Sequence, residues 1–230
     1  MMRISVDSVD IDDPFGDPWY RFSRVCAALQ RVGVVLDGKR VLDLGCNQGQ
    51  FVRYLLERHA VDAWGVDDWP PQEKNDPTWN YEQIDLATEF KHLGKFDVLC
   101  ALEVLEHMTD TDAFLEQCGA CLHDHGTMVI STPNINSLRN RIEVPLGGYP
   151  NGLEFRNLIH HVRLYNVPML RWHLGQHGFE VVRLVGVNFL PARYLRFNGY
   201  RKLSECLSES FPQLCGNIIV IARKVARHSG

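Results

Sequence analysis

The chain has no apolar run near the roughly 18 residues that a membrane-spanning helix requires. Its opening, MMRISVDSVDIDD, is acidic and carries no apolar h-region, so neither a transmembrane segment nor a secretory signal is expected. No internal repeat and no low-complexity tract is visible. The cysteines number seven, an odd count scattered through strand-like and helix-like segments. That pattern suits a reduced, cytoplasmic protein better than a disulfide framework. Cys118-x-x-Cys121 has zinc-like spacing, but it lacks a second pair and falls inside a helical pattern, so core packing is the expected role. A strong basic surplus is missing too. The net charge is −4 and the isoelectric point about 6.2, which argues against a nucleic-acid partner held through its phosphates.

What remains is an ordinary globular composition. The 230 residues are 45% hydrophobic and 23% charged, enough for one domain with elaborations. The charge is unevenly spread. Between Ser137 and Lys202 ten Lys/Arg face three acids, against 14 and 25 in the rest of the chain. A solvated basic face explains this most simply; a surface meeting an anionic substrate or a membrane headgroup is the sharper reading.

Hydrophobic periodicity then divides the chain. A helix is expected from Trp19 to Val32, with Phe22, Val25, Leu29 and Val32 on one stripe. Strands follow at 40–44, 62–67, 81–85, 96–102 and 126–133, with helices at 49–59 and 111–122. Strand and helix in this rhythm predict a mostly parallel sheet covered on both faces, with ligand-binding loops along its carboxyl edge. Asp43, Asp67, Asp85 and Glu103 all fall at or just past the ends of these strands. Such a rim suits a ligand with positive charge or many hydroxyl and amine donors. Beyond Asn134 the pattern predicts a helix in SLRNRIEV, a loop-rich insertion in PLGGYPNGLEFRN, a helix within 167–179 ending near Gly178, and strands at 179–187 and 217–224. The aromatic and basic run from Phe189 to Lys202 is read by default as a packed helix, with a substrate lid or a membrane-touching helix as alternatives.

The segment VLDLGCNQG (41–49) turns from a strand through two glycines. It fails the dinucleotide fingerprint at two of three glycine positions, where Asn47 and Gln50 stand, and it has no Gly-Lys-Ser/Thr of a phosphate-binding loop. Asp43 would also repel a pyrophosphate across a few Å. An ammonium or sulfonium ligand has the opposite preference.

These residues resemble the first motif, D-x-G-x-G-x-G, of class I S-adenosylmethionine-dependent methyltransferases. Asp43, Gly45 and Gly49 match, with Asn47 in place of the middle glycine. GVDD (65–68), QIDLAT (83–88) and FDVLCALEVLEHM (96–108) resemble that family's next three motifs, and GTMVISTPN and HHVRLYNVPMLRWHLGQHGFEVV its later ones. The likeness is to the ubiquinone-type, small-molecule group. It implies a Rossmann-like α/β fold with a seven-stranded, mostly parallel sheet, helices on both faces and an antiparallel last strand. It implies S-adenosylmethionine as cofactor, held by Asp43, Gly45, Cys46, Asn47 and Gly49, with Asp67 or Asp68 on the ribose, Asp85 and Leu86 at the adenine, and Leu102 and Glu103 beside them. The chain is then a single domain: an N-terminal helical extension (1–35), a cofactor-binding core (36–133), an acceptor-pocket elaboration (134–215) and a terminal strand (216–224). The acceptor is a small molecule, with oxygen the favoured atom and an anionic or sugar-linked compound worth testing, on a monomer or homodimer.

Methyl transfer is an in-line displacement, so positioning and water exclusion supply most of the acceleration. A hydroxyl acceptor also calls for a base. His107 is the first candidate, flanked by Glu103 and Glu106, which would raise its pKa; His161 is the second. Asp85 has an alternative role as an Asx turn. His160, His161, His173 and His177 are read as scattered surface or lid residues rather than as a metal site. Rival readings are a methyltransferase acting on RNA or protein, a non-catalytic S-adenosylmethionine-binding module and, more distantly, a nicotinamide oxidoreductase. The Asn/Asp-Pro-Pro-Tyr signature of amino-methylating enzymes is absent after the fourth strand.

Overall fold

Alternating burial along the strands shows how the sheet is built. Val41 and Leu42, or Val98 and Leu99, are both fully buried, yet each pair divides between two separate apolar clusters on opposite faces. In the computed structural model, which describes residues 18–71, 79–150, 160–190 and 198–225, the elements run in chain order. They are α1 (Pro18–Arg31), β1 (Arg40–Leu44), α2 (Gln50–Arg58), β2 (Asp62–Asp67), β3 (Asn80–Gln83), β4 (Phe96–Leu102), α3 (Thr111–Cys121), β5 (Leu122–Pro133), α4 (Leu138–Glu143), α5 (Val167–Gln176), β6 (Phe179–Val187), α6 (Asn198–Ser210) and β7 (Asn217–Lys224).

The strands form one seven-stranded sheet in the order β3-β2-β1-β4-β5-β7-β6. β1 to β5 are parallel neighbours, and β7 runs antiparallel to both β5 and β6. The expected Rossmann-like sheet with an inserted antiparallel last strand is therefore what the chain forms. Strand order reverses between β1 and β4, the place where open α/β sheets leave a crevice.

One face packs on α3 and α5, through Phe114, Leu115, Cys118, Leu170 and Leu174. The other packs on α1 and α2, through Phe22, Val25, Leu29, Phe51, Tyr54 and Leu55. Phe22 and Phe51 meet with ring centroids 5.0 Å apart, fastening α1 to α2. The helix ends follow ordinary capping chemistry. Asp110 accepts from Ala113 N at 2.9 Å to start α3, and Asn166 accepts from Met169 N at 2.9 Å to start α5. Past α5, Gly178 takes φ 78°, closing the helix near Gly178 as expected.

β5 begins four residues earlier than expected, at Leu122, and β3 ends two residues earlier, at Gln83. α6 begins inside the run that was read as a packed helix, at Asn198, and continues to Ser210. Its Ser204 and Ser208 are buried, and its Glu209 pairs with Arg24 and Arg31 of α1 at 3.1 and 2.9 Å. The acidic lead, most of the loop-rich insertion and the middle of the 189–202 run lie outside the described residues. Among the described residues, no helix is long and apolar enough to cross a membrane.

Candidate cofactor and catalytic site

The turn after β1 needs left-handed backbone at three positions: Gly45 (φ 72°), Asn47 (φ 49°) and Gly49 (φ 71°). Asn is among the few side-chain-bearing residues that take this conformation readily, which is why the glycine departure at position 47 is tolerated. The glycines also answer to packing. A Cβ on Gly45 would stand 2.5 Å from Val104 Cγ2, and one on Gly49 would stand 2.5 Å from the Trp79 ring. Backbone N–H groups of Gly45 and Cys46 both donate to the Val66 carbonyl at 2.8 and 3.0 Å, tying the turn to β2. Cys46 is buried beside Trp79, Val52 and Ala63. Burial pushes its thiol above the ordinary range, as do the charges of Asp43 and Asp67, so it packs rather than reacts.

Four predicted acids gather around this turn. Asp43 is the fourth of five residues in β1, between Gly65 of β2 and Cys100 of β4, and is 3% exposed. Burial raises its carboxyl to about 8; Arg21 of α1 opposes this and Asp67 adds to it. Asp67 is the last residue of β2, half-buried, and faces the turn directly. Its Oδ2 accepts from Asn47 N at 2.7 Å and its Oδ1 from Trp69 N at 3.1 Å. A carboxylate has about four lone-pair sites, so Asp67 keeps capacity for further donors. Asp68 is exposed beside it. Its pKa is raised by desolvation, then by a hydrogen bond to Asp67 and by that group's charge. Asp85 lies two residues past β3 and forms the Asx turn weighed for it, accepting from Ala87 N at 2.9 Å. The residue is exposed on the rim. Leu86 is half-buried against the main core. Leu102 packs into the α1–α2 cluster, so its side chain is a core contact.

A second group collects past β4. Glu103 takes φ 59°, a strained value for a residue with a side chain, and this turns its carboxylate toward β5 and β7 rather than toward the glycine turn. Ser131 donates to its Oε1 at 2.6 Å, Asn217 donates to its Oε2 at 3.0 Å, and Arg21 stands 3.9 Å away. Glu106 is 1% exposed, and neither of its carboxylate oxygens has a hydrogen-bond partner among the described residues. Burial, followed by the charge of Glu103, holds its pKa well above the ordinary carboxylate value. His107 packs edge-on against His161 with ring centroids 4.6 Å apart. One side-chain donor atom each from Glu106, His107 and His161 lies within 4.8 Å of the others.

The expected elevation of the His107 pKa is reversed. Burial lowers it, and the opposing pull of the His160 carbonyl and of Glu103 does not compensate. His107 Nδ1 lies 2.9 Å from the His160 carbonyl oxygen. A carbonyl only accepts, so Nδ1 carries the proton and the neutral ring presents a bare Nε2. The segment bearing His161 is anchored on the same turn, with Val162 N and Arg163 N donating to the Glu106 carbonyl at 2.9 and 3.1 Å.

Sequence reasoning missed Arg21, Ser131, Asn217 and Trp79. The first three hold Glu103, and Trp79 supports the glycine turn. Only Arg21 left a trace, as a charge on an otherwise apolar stripe. Cys118 and Cys121 are both fully buried, as core packing requires. The reading of His173 and His177 as scattered surface residues is corrected, since both bond one oxygen of Asp112.

Sheet order, the left-handed turn after β1 and the acid at the end of β2 define the class: a Rossmann-like methyltransferase fold. The chain belongs to the methyltransferase-domain family, whose model matches residues 19–184. It is 34% identical over 173 residues to a ubiquinone biosynthesis O-methyltransferase of Azorhizobium caulinodans, covering 69% of this chain and 65% of that protein. A protein of the same description from Coxiella burnetii is 26% identical over 182 residues, covering 68% and 77%. The chain thus spans just under two thirds of the first relative's length. Among solved structures, a SAM-dependent methyltransferase from Archaeoglobus fulgidus superposes with a TM-score of 0.60 at 20% identity, covering 88% of this chain and 94% of that one. Magnesium protoporphyrin IX methyltransferase from Synechocystis PCC 6803, solved with bound SAH, gives 0.59 at 18%, covering 89% and 82%. At these identities the structural likeness speaks for the fold.

Proposed function

We infer that the chain transfers a methyl group from S-adenosylmethionine to an oxygen of a small-molecule acceptor. The observation that carries this reading is Asp67, a half-buried carboxylate at the end of β2 held against the left-handed turn by the Asn47 N–H at 2.7 Å. Its remaining lone pairs are assigned to the ribose hydroxyls, where charge-assisted bonds outcompete water. The turn from Gly45 to Gly49 takes the methionine part, Asp43 favours its positive charge, and Asp85 with Leu86 takes the adenine. The relatives named as O-methyltransferases support oxygen as the atom methylated. The basic balance after Ser137 supports an anionic acceptor.

The acceptor oxygen attacks the methyl carbon as the bond from carbon to sulfur breaks, and the hydroxyl proton must leave. His107 is assigned this proton, because its Nε2 is bare and burial keeps the ring neutral. A second reading rests on the orphaned oxygens of Glu106. With His107 and His161 they make a donor set that fits a divalent cation, which would lower the pKa of a bound hydroxyl. Both readings use His107 Nε2, so they exclude one another, and turnover with and without a chelator separates them. Calorimetry with S-adenosylmethionine and S-adenosylhomocysteine tests the cofactor. A panel of phenolic, phosphorylated and sugar-linked hydroxyl compounds, scored by S-adenosylhomocysteine release, tests the acceptor. Binding without turnover across that panel would favour a non-catalytic module, and no binding at all would overturn the reading.

A further inference from the structure

On the face of the sheet covered by α3 and α5, two histidines of one helix meet an aspartate more than 60 residues away in sequence. His173 and His177 are one turn apart at the end of α5, so their rings share a side of the helix. Both Nε2 atoms converge on Asp112 Oδ1, at 2.9 and 2.8 Å. Asp112 is free to face them because the neighbouring Asp110 caps α3. The imidazoles are largely covered, with side-chain exposures of 12% and 11%, while Asp112 is 73% exposed and leaves an open approach from solvent. Behind them, buried Tyr165 stacks on His173 and its hydroxyl lies 3.0 Å from His173 Nδ1. That contact fixes the ring with Nε2 pointing outward, as the outer partner of a metal-bound histidine does.

We propose that Asp112, His173 and His177 form a binding site for a transition-metal dication, zinc above all, separate from the catalytic group. Two imidazole nitrogens and one carboxylate oxygen make a borderline donor set that suits zinc, with water completing the coordination. The three donor atoms already lie within 4.8 Å of one another. A tetrahedral zinc with ligand bonds near 2.0–2.1 Å holds its donors about 3.3 Å apart. Opening each Nε2 to Oδ1 contact by about half an ångström, a shift within reach of an exposed aspartate rotamer, brings both to that spacing, and the two Nε2 atoms are within 4.8 Å of each other before any adjustment. Each Nε2 gives up its proton on binding. For His173 the remaining ring proton then sits on Nδ1 and is donated to the Tyr165 hydroxyl. The ion would tie the start of α3 to the end of α5. Through Tyr165 it would also steady the strip of chain whose other end carries His161.

The test is titration of the whole chain with zinc by calorimetry, and with cobalt by its visible absorption, in wild type, Asp112→Ala, His177→Ala and His161→Ala. Expected is one equivalent at this site, the one that survives in His161→Ala, with a tetrahedral or five-coordinate cobalt band. This equivalent is weakened by more than about 100-fold in Asp112→Ala and His177→Ala, beyond the loss of an outer partner, and is retained in His161→Ala. Zinc should raise the melting temperature of wild type and leave that of Asp112→Ala unmoved. No binding in wild type, or titrations of Asp112→Ala and His177→Ala that match wild type, would overturn the proposal and leave a hydrogen-bonded staple between two helices. Should His177→Ala fail to fold, Asp112→Ala decides, because that side chain is solvent-exposed.

Discussion

Replacing Asp43 by asparagine should change how stability depends on pH, and in a direction opposite to that of most aspartates. A salt-bridged aspartate binds protons less tightly when folded, so its protein gains stability as pH rises. Asp43 is the reverse case. It sits inside the sheet between Gly65 and Cys100, and burial lifts its pKa from the unfolded value near 3.8 to about 8. Between those limits the folded chain keeps a proton that the unfolded chain has lost. Stability is therefore fullest below the unfolded pKa, and it falls as pH rises toward 8 by up to about 1.4 kcal/mol per unit. From pH 5 to 7 the expected loss is about 1–3 kcal/mol, the upper figure being the full slope over two units.

Glu103 and Glu106 are raised as well and slope the same way, so the wild-type curve alone does not isolate Asp43. Its difference from the Asn variant does, because asparagine keeps the shape and cannot ionise. Urea unfolding at pH 5, 6, 7 and 8 should show Asp43→Asn gaining on wild type with each step. Parallel curves would refute the buried-carboxyl argument outright. A sulfonium ligand favours the anion, so adding S-adenosylmethionine should release a proton near neutrality. Calorimetry in buffers of different ionisation enthalpy reads that proton, and Asp43→Asn should abolish it.

Further expectations concern single side chains. Asp67→Ala should weaken S-adenosylmethionine binding by roughly 1–3 kcal/mol, and unchanged affinity in a folded variant, measured by calorimetry, would remove the ribose assignment. Gly49→Ala should cost about 1–3 kcal/mol in chemical denaturation, from its φ of 71° and a Cβ placed 2.5 Å from the Trp79 ring. The penalty should shrink when Trp79→Leu is combined with it. His107→Gln should lower turnover by about 10²–10⁴ at unaltered cofactor affinity, and an active variant would rule out the proton-transfer role. Glu106→Gln should unfold within about 0.5 kcal/mol of wild type, since burial favours the protonated carboxyl, whose shape and charge glutamine copies. A large loss of stability would mean that the carboxyl is ionised and held by a cation.

The parts of the molecule legible in the sequence are those encoded by local period and by backbone need. Val41 and Leu42 announce a two-faced buried strand, and Phe22, Val25 and Leu29 a helix stripe, because neighbours along the chain carry the pattern. Asn47 could be read as a left-handed position since that demand belongs to one residue. Side-chain direction could not. Whether Glu103 faces a cofactor or turns toward β7 depends on a single φ of 59° and on Ser131 and Asn217, which lie 28 and 114 residues away. The His107 pKa was misread for the same reason. Its acidic neighbours are visible in the sequence, but the burial that outweighs them is supplied by the fold. The histidines of α5 carry this furthest. Asp112 and His177 are 65 positions apart, and nothing in either local pattern pairs them. Only the packing of α3 beside α5 on one face of the sheet turns one exposed aspartate and two largely covered histidines into a convergent set of donors.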